Sequence, residues 1–271
     1  LLKKCGMQMS RRIIRPIAFW AILIYSMPIN AYSQTPELPE EAFELYPTLR
    51  DMHGYAVGIH ADKVLIFGGL IRSELPEVYP EGFPNQELLL IDLGRQRATA
   101  FSSGGISDLL GEQLAAYGLA YHQLDQTLYI VGGYGLRRGE NAFGTFPYLI
   151  SVDVPAAIAD LLKGQNPEAH FRRHCDDRMA LFNAILDHNG QEFFLLGGRR
   201  AIKRDPFSSE PAYREESPEE QVRTFRLRLQ NDQLQVEGYR GWYDLGEFEA
   251  VYGNQIPPKI RRAMDEQKPA Q

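Results

Sequence analysis

The chain is predicted to be all-β: a propeller of three to four four-stranded blades, complete or incomplete, with short helical insertions. Three observations predict it. First, "KVLIFGGL", "TLYIVGGY" and "EFFLLGGR" each run four apolar residues into a glycine pair: Gly68-Gly69, Gly132-Gly133 and Gly197-Gly198. The pairs stand 64 and 65 residues apart, and a fixed period of this kind marks a repeat architecture. Second, each copy expands into the same order of strands and turns. Third, glycine is a poor strand residue, so a pair at the same place in three strands marks a sharp turn with no room for side chains.

Upstream of each glycine pair lies a first strand, at Tyr55–Ile59, Tyr117–Tyr121 and Leu181–Leu186. The polar turns "HADK", "QLDQ" and "DHNGQ" join it to the diglycine strand, with Asp, Asn or Gly available for positive φ. Third strands follow at Glu87–Leu93, Tyr148–Val154 and Thr224–Leu229, and more polar fourth strands at Arg97–Ser102, Ala169–His174 and Gln235–Arg240. The blades so defined cover about residues 50–103, 115–175 and 178–241, within a propeller domain at 34–252. A β-sandwich of hairpins also has many short strands, but it rarely repeats at so even a step.

Insertions account for the length of the period. "DVPAAIADLLKG" carries helix signals: Asp153 or Val154 as cap, Pro155 in the first turn, an Ala/Leu run and a Gly164 stop. "SDLLGEQLAA" is a second short helix. "LPEVYPEGFPNQ" reads as a proline-rich loop and "KRDPFSSEPAYREESPEE" as a polar, mobile segment. Residues 253–271 read as a polar, disordered tail. Three to four units fall short of most propellers, so a longer parent chain, a truncated fragment without independent function, or closure by oligomerising is expected. An open arc of blades exposes strand edges and apolar faces.

Residues 1–33 read as a signal peptide. Lys3, Lys4, Arg11, Arg12 and Arg15 precede an apolar run from Ile17 to Tyr25, and Ala31-Tyr32-Ser33 supplies the small-x-small site, with cleavage after Ser33. The apolar run is short for a span, which takes ~20 residues, so a membrane role is expected only as an uncleaved anchor. The expected location is secreted or periplasmic. Removing these five basic residues takes the net charge from −6 to −11, which excludes nucleic acid and anionic lipid as partners. Cys5 leaves with the leader, and Cys175 remains alone.

The diglycines, with the downstream strands "LLLIDL" and "YLISVDV" carrying Asp92 and Asp153, resemble the kelch-repeat family of β-propellers over about residues 50–240. The run "TFPYLISVDVPAAIADLLKG" is similar to secreted bacterial kelch-type proteins. The outer-strand Trp typical of kelch blades is missing from the first two units, and Trp242 is the only Trp of the mature chain. The resemblance implies a ligand-binding or protein-interaction module with no evident catalysis. Its enzymatic alternative is a periplasmic sugar mutarotase, similar to the N-acetylneuraminate mutarotases, with an arginine for the carboxylate and a Glu or His for proton transfer.

No nucleophile elbow, P-loop or dinucleotide fingerprint is present in the sequence. Cys175 beside His174 does not extend to the ligand set of a kelch-type copper oxidase. His170 and His174, expected on one face of a strand, offer weak metal capture at most, so no metal or cofactor is expected. One constellation stands out. Arginines follow every diglycine: Arg72, then Arg137 and Arg138, then Arg199 and Arg200, with Tyr134 as a stacking surface. An arginine-ringed mouth suits a protein partner or a small acidic or sugar ligand held in bidentate pairs. Alternatively, these arginines pair with local acids such as Glu74 or Glu140.

Overall fold

The computed structural model describes residues 38–72, 82–203 and 213–267. The leader expected at 1–33 therefore lies outside the described residues, as does Glu74.

The first unit opens with helix α1 (Glu40–Leu45) and the short strand β1 (Met52–His53). It continues through β2 (Ala56–His60), β3 (Lys63–Phe67), β4 (Leu70–Ile71), β5 (Phe83–Pro84), β6 (Glu87–Asp92) and β7 (Arg97–Ser102). The second holds α2 (Asp108–Leu114), β8 (Ala120–Leu124), β9 (Thr127–Val131), β10 (Tyr134–Arg137), β11 (Ala142–Thr145), β12 (Tyr148–Asp153), α3 (Val154–Leu162) and β13 (Phe171–Cys175). The third holds β14 (Phe182–His188), β15 (Phe193–Lys203), β16 (Tyr213–Glu216), β17 (Val222–Gln230) and β18 (Gln233–Trp242), followed by α4 (Leu245–Tyr252) and α5 (Pro258–Gln267).

Three antiparallel meanders result: β2-β3-β6-β7, β8-β9-β12-β13 and β14-β15-β17-β18. Together with the smaller sheets they stand in a ring, as in a β-propeller. The first strands lie innermost: β2 touches β8, and β8 touches β14. Alternation explains the third blade. Phe193 and Leu195 of β15 face the second unit's Val131 and Leu149, while Phe194 and Leu196 face α4 and α5. Each such side chain contributes about 1.5–3 kcal/mol on burial. In the first blade Val64 through Phe67 are all buried, as a strand covered on both faces requires.

The diglycines share one backbone conformation. Their φ angles are +63° and +99° at Gly68-Gly69, +67° and +95° at Gly132-Gly133, and +64° and +87° at Gly197-Gly198. The close approach is to the backbone of the next unit. A Cβ on Gly132 would lie 1.9 Å from the Leu181 carbonyl oxygen. The carbonyl of each first glycine is taken by a buried polar side chain: Asn85 at 3.0 Å from Gly68, Gln113 at 2.9 Å from Gly132 and Arg223 at 3.4 Å from Gly197. A second inter-unit ladder follows the same period. The Leu119 amide donates to the Gly54 carbonyl (3.2 Å), and the Asn183 amide to that of Gly118 (2.8 Å).

Several expectations are corrected. The first strand of unit two starts at Ala120 rather than Tyr117, because Gly118 (φ +65°) still turns the chain against Asn183. The insertions expected as a loop at 75–86 and a mobile segment at 203–220 contain strands, so every unit carries a hairpin arm after its diglycine. Antiparallel pairs β4–β5, β10–β11 and the end of β15 with β16 form these arms. Residues 73–81 and 204–212, between the paired strands of the first and third arms, lie outside the described residues.

The tail expected to be disordered from 253 is instead structured through residue 267. Charged residues dominate its composition, yet Ile260, Ala263 and Met264 recur at helical spacing and form one buried stripe. Together with Phe248 and Ile256 they cover the outer face of the third blade, against Phe194, Leu196, Val222 and Trp242. That face is therefore covered, and the fold extends past the end expected at 252. Helix α3 forms as expected: Asp153 accepts from the Ala156 amide at 3.1 Å, and Gly164 stops it at φ +70°. Its Val154 packs on Gly58 of the first blade.

Candidate functional sites on the arms and the inner strands

Positive φ at the glycine pair lets each chain leave its blade into an arm, and the residues singled out by the sequence all lie there. Arg72 is exposed just beyond β4, its amide donating to the Asp51 carbonyl at 2.9 Å. Tyr134 starts β10, and its ring packs among Tyr117 (5.5 Å), Phe143 (6.1 Å) and Phe182 (5.4 Å), at the junction with the third unit. Arg137 holds Glu140 at 2.6 Å, the local acid named as its alternative partner. Arg138 is exposed, and its amide donates to the Glu112 carboxylate at 3.1 Å. Arg199 is exposed in β15, and Arg200 stands opposite Glu216 in register.

Neighbouring arms touch, since the Thr145 hydroxyl donates to the Ala201 carbonyl at 3.4 Å. Their surfaces are apolar as well as cationic. Phe83, Leu136 and Phe143 are exposed, and the last two are direct cross-strand partners.

A second constellation sits on the inner strands, toward the turn ends of β8 and β14 and away from the arms. His122 Nδ1 lies 3.1 Å from Asp187 Oδ1, and the His188 amide donates to the same oxygen at 2.8 Å. Burial pushes the Asp187 carboxyl up, but the hydrogen bonds from His122 and the His188 amide outweigh it, holding the group below the usual carboxylate range. A proton held on His122 Nδ1 by this carboxylate leaves Nε2 as the basic atom.

Around this pair stand His188, Lys259 and Tyr121. His188 is depressed by burial, then by the charge of His122. Burial likewise makes Lys259 less basic, partly offset by Asp187, and its ammonium lies 5.4 Å from the centre of the Tyr121 ring. Burial, with Tyr55 nearby, raises the Tyr121 hydroxyl well above its ordinary value, and burial lifts Tyr55 to about 12. Both phenols are therefore hydrogen-bond donors at neutral pH.

These residues were missed in the sequence because they are spread from position 121 to 259. One signal was available. His122 and Asp187 are separated by the repeat step of 65, so the period places them at matching positions on adjacent inner strands. The pair His170 and His174 does not form as expected. His170 lies in a helical turn against Asp160 (2.8 Å), while His174 on β13 meets the Leu234 carbonyl at 3.1 Å.

No model of a known protein family matches this chain, and no curated protein matches it.

Proposed function

We propose that this chain is an exported, kelch-type propeller that works as a binding module, engaging a protein partner or an acidic ligand through its arms. One observation carries the reading: the arms expose Leu136, Phe143 and Phe83 beside Arg137, Arg138 and Arg72. Large apolar side chains with arginine form the chemistry of interface hot spots. The repeated diglycine strand supports the kelch-type assignment. The basic and apolar leader supports export, which a secreted product beginning at Gln34 would test. For binding, the full chain is immobilised and titrated with acidic, aromatic-rich peptides. Leu136→Ser with Phe143→Ser should abolish binding with an unchanged circular dichroism spectrum. Retained binding by that double variant would remove the arms from the site.

A second reading, proton transfer on an acidic sugar, is favoured by His122 oriented against buried Asp187. Exchange between the anomers of N-acetylneuraminate, followed by NMR, tests it. An exchange rate equal to that in buffer sinks this reading.

A further inference from the structure

One cross-strand pair recurs on the face that each blade turns toward the element after it, and its surroundings differ between the copies. In the first blade the pair is Leu65 and Leu90, buried together with Ala157, Ile158 and Leu161 of α3. In the third it is Phe194 and Thr224, and the Thr224 hydroxyl accepts from Trp242 Nε1 at 3.3 Å and the Tyr252 hydroxyl at 3.2 Å. In the second it is Tyr129 and Ser151. Ser151 is only 8% exposed, yet its hydroxyl makes no hydrogen bond among the described residues. It lines a cleft of about 240 Å³ between the second and third blades, and every residue lining that cleft is described.

The cleft follows from the length of one connection. In the second unit the link between third and fourth strands contains α3, which packs back over the first blade. In the third unit the same link is the tight turn Asn231-Asp232, at φ +50° and +62°, and it is too short to fill the corresponding space. Asp232 instead pins the turn to the second blade, accepting from Arg172 Nε at 2.6 Å. Arg172 stands opposite Ser151 in register, and Thr127 stands opposite Asp153 two residues along the same face. The facing wall is aliphatic, made of Leu227, Leu229 and Leu234.

We propose that this cleft binds a free α-amino acid with a branched apolar side chain. The carboxylate lies against Ser151 and Arg172, the ammonium against Asp153, and the side chain against the three leucines. Two arginines, Arg172 and Arg228, balance Asp153 and Asp232 around the cleft, which suits a zwitterion better than a lone anion or cation. Asp153 gives one oxygen to the Ala156 amide at 3.1 Å and keeps the other for the ammonium. The volume falls below the ~300–1,000 Å³ of sites for larger ligands, so the occupant is small.

The site goes beyond the binding-module reading and is independent of it, because the Leu136 and Phe143 variants leave it intact. The test is titration calorimetry of the full chain with L-leucine. 4-Methylpentanoate and isoamylamine each lack one charge, and glycine lacks the apolar side chain; each should bind at least ~10-fold more weakly. Ser151→Leu, which places the first blade's residue type in the cleft, should abolish binding with an unchanged circular dichroism spectrum. Asp153→Asn keeps a residue suited to capping α3 and should weaken L-leucine at least ~10-fold while leaving 4-methylpentanoate unaffected. No heat with L-leucine, equal binding of 4-methylpentanoate or glucose, or undiminished binding by either variant would overturn the proposal.

Discussion

Gly68 lies so close to Ala116 that a Cβ on the glycine would come within 2.0 Å of the alanine's carbonyl oxygen. The glycine pairs that end the diglycine strands of the first two units are thus required by the backbone of the next unit, whose carbonyl takes the Gly69 or the Gly133 amide.

The requirement should differ between copies. Gly132→Ala adds a clash at 1.9 Å with Leu181 to the ~1–2 kcal/mol cost of a left-handed alanine. Gly197→Ala bears only the second term, since no atom of the described residues lies within 4 Å. Urea unfolding should therefore show Gly132→Ala as clearly the less stable variant. Equal losses would mean that backbone conformation alone demands the glycines.

Gln113 is wholly buried, and its side-chain amide donates to the carbonyls of Gly132 and Tyr148, both at 2.9 Å. Gln113→Leu leaves the Gly132 carbonyl without that donor, at about 1–3 kcal/mol, while the Tyr148 carbonyl keeps the Gly132 amide at 3.1 Å. We expect a loss of about 1–3 kcal/mol in chemical denaturation; a neutral result would show that water replaces the amide.

Phe248 is fully buried between Phe194 (6.0 Å), Trp242 (5.7 Å) and Tyr252 (5.1 Å). Phe248→Ala should cost about 3–5 kcal/mol and loosen α4 from the third blade. A red-shifted Trp emission and increased dye binding would report the uncovered face. If stability and emission stay unchanged, the helices do not act as a cap.

Stability should fall as the pH drops below about 6.5, the ordinary histidine value. His188 Nδ1 accepts the Gly190 amide at 2.9 Å, a bond that only the unprotonated nitrogen makes. Burial, then His122, depresses His188; burial, then Arg72, depresses His53. Around His188, Lys259 is likewise depressed, while Asp187 stays ionised until far lower pH. Between the folded and unfolded histidine values the unfolded chain binds more protons, so stability rises with pH through that window. His188→Gln should flatten the slope between pH 6.5 and 5, and an unaltered slope would place the titration elsewhere.

The blades were legible because a blade strand is a local pattern. Four apolar residues, a turn and two glycines lie within a dozen positions, as Lys63 to Gly69 shows. The arms were not legible, since β4 and β5 are two-residue strands with no period to read. Helix α5 was hidden by composition, its stripe of Ile260, Ala263 and Met264 lying among six polar or charged residues from Pro258 to Gln267. Of the arginine constellation, the sequence correctly placed every member after a diglycine. Whether each would face solvent, an acid or an aromatic ring depended on neighbours far along the chain.

The sequence by itself determined the repeat, the antiparallel blades and the glycine turns, because these follow from periodicity and from the single residue type that tolerates crowding at positive φ. Only the tertiary structure decided that the first two glycine pairs receive the next unit's carbonyl and that two helices cover the last sheet face. It also brought His122 to Asp187, and Lys259 to Tyr121. The Gly69–Ala116, His122–Asp187 and Tyr121–Lys259 contacts join residues 47, 65 and 138 positions apart, and their energies come from close packing and shared burial, which no local stretch of sequence contains.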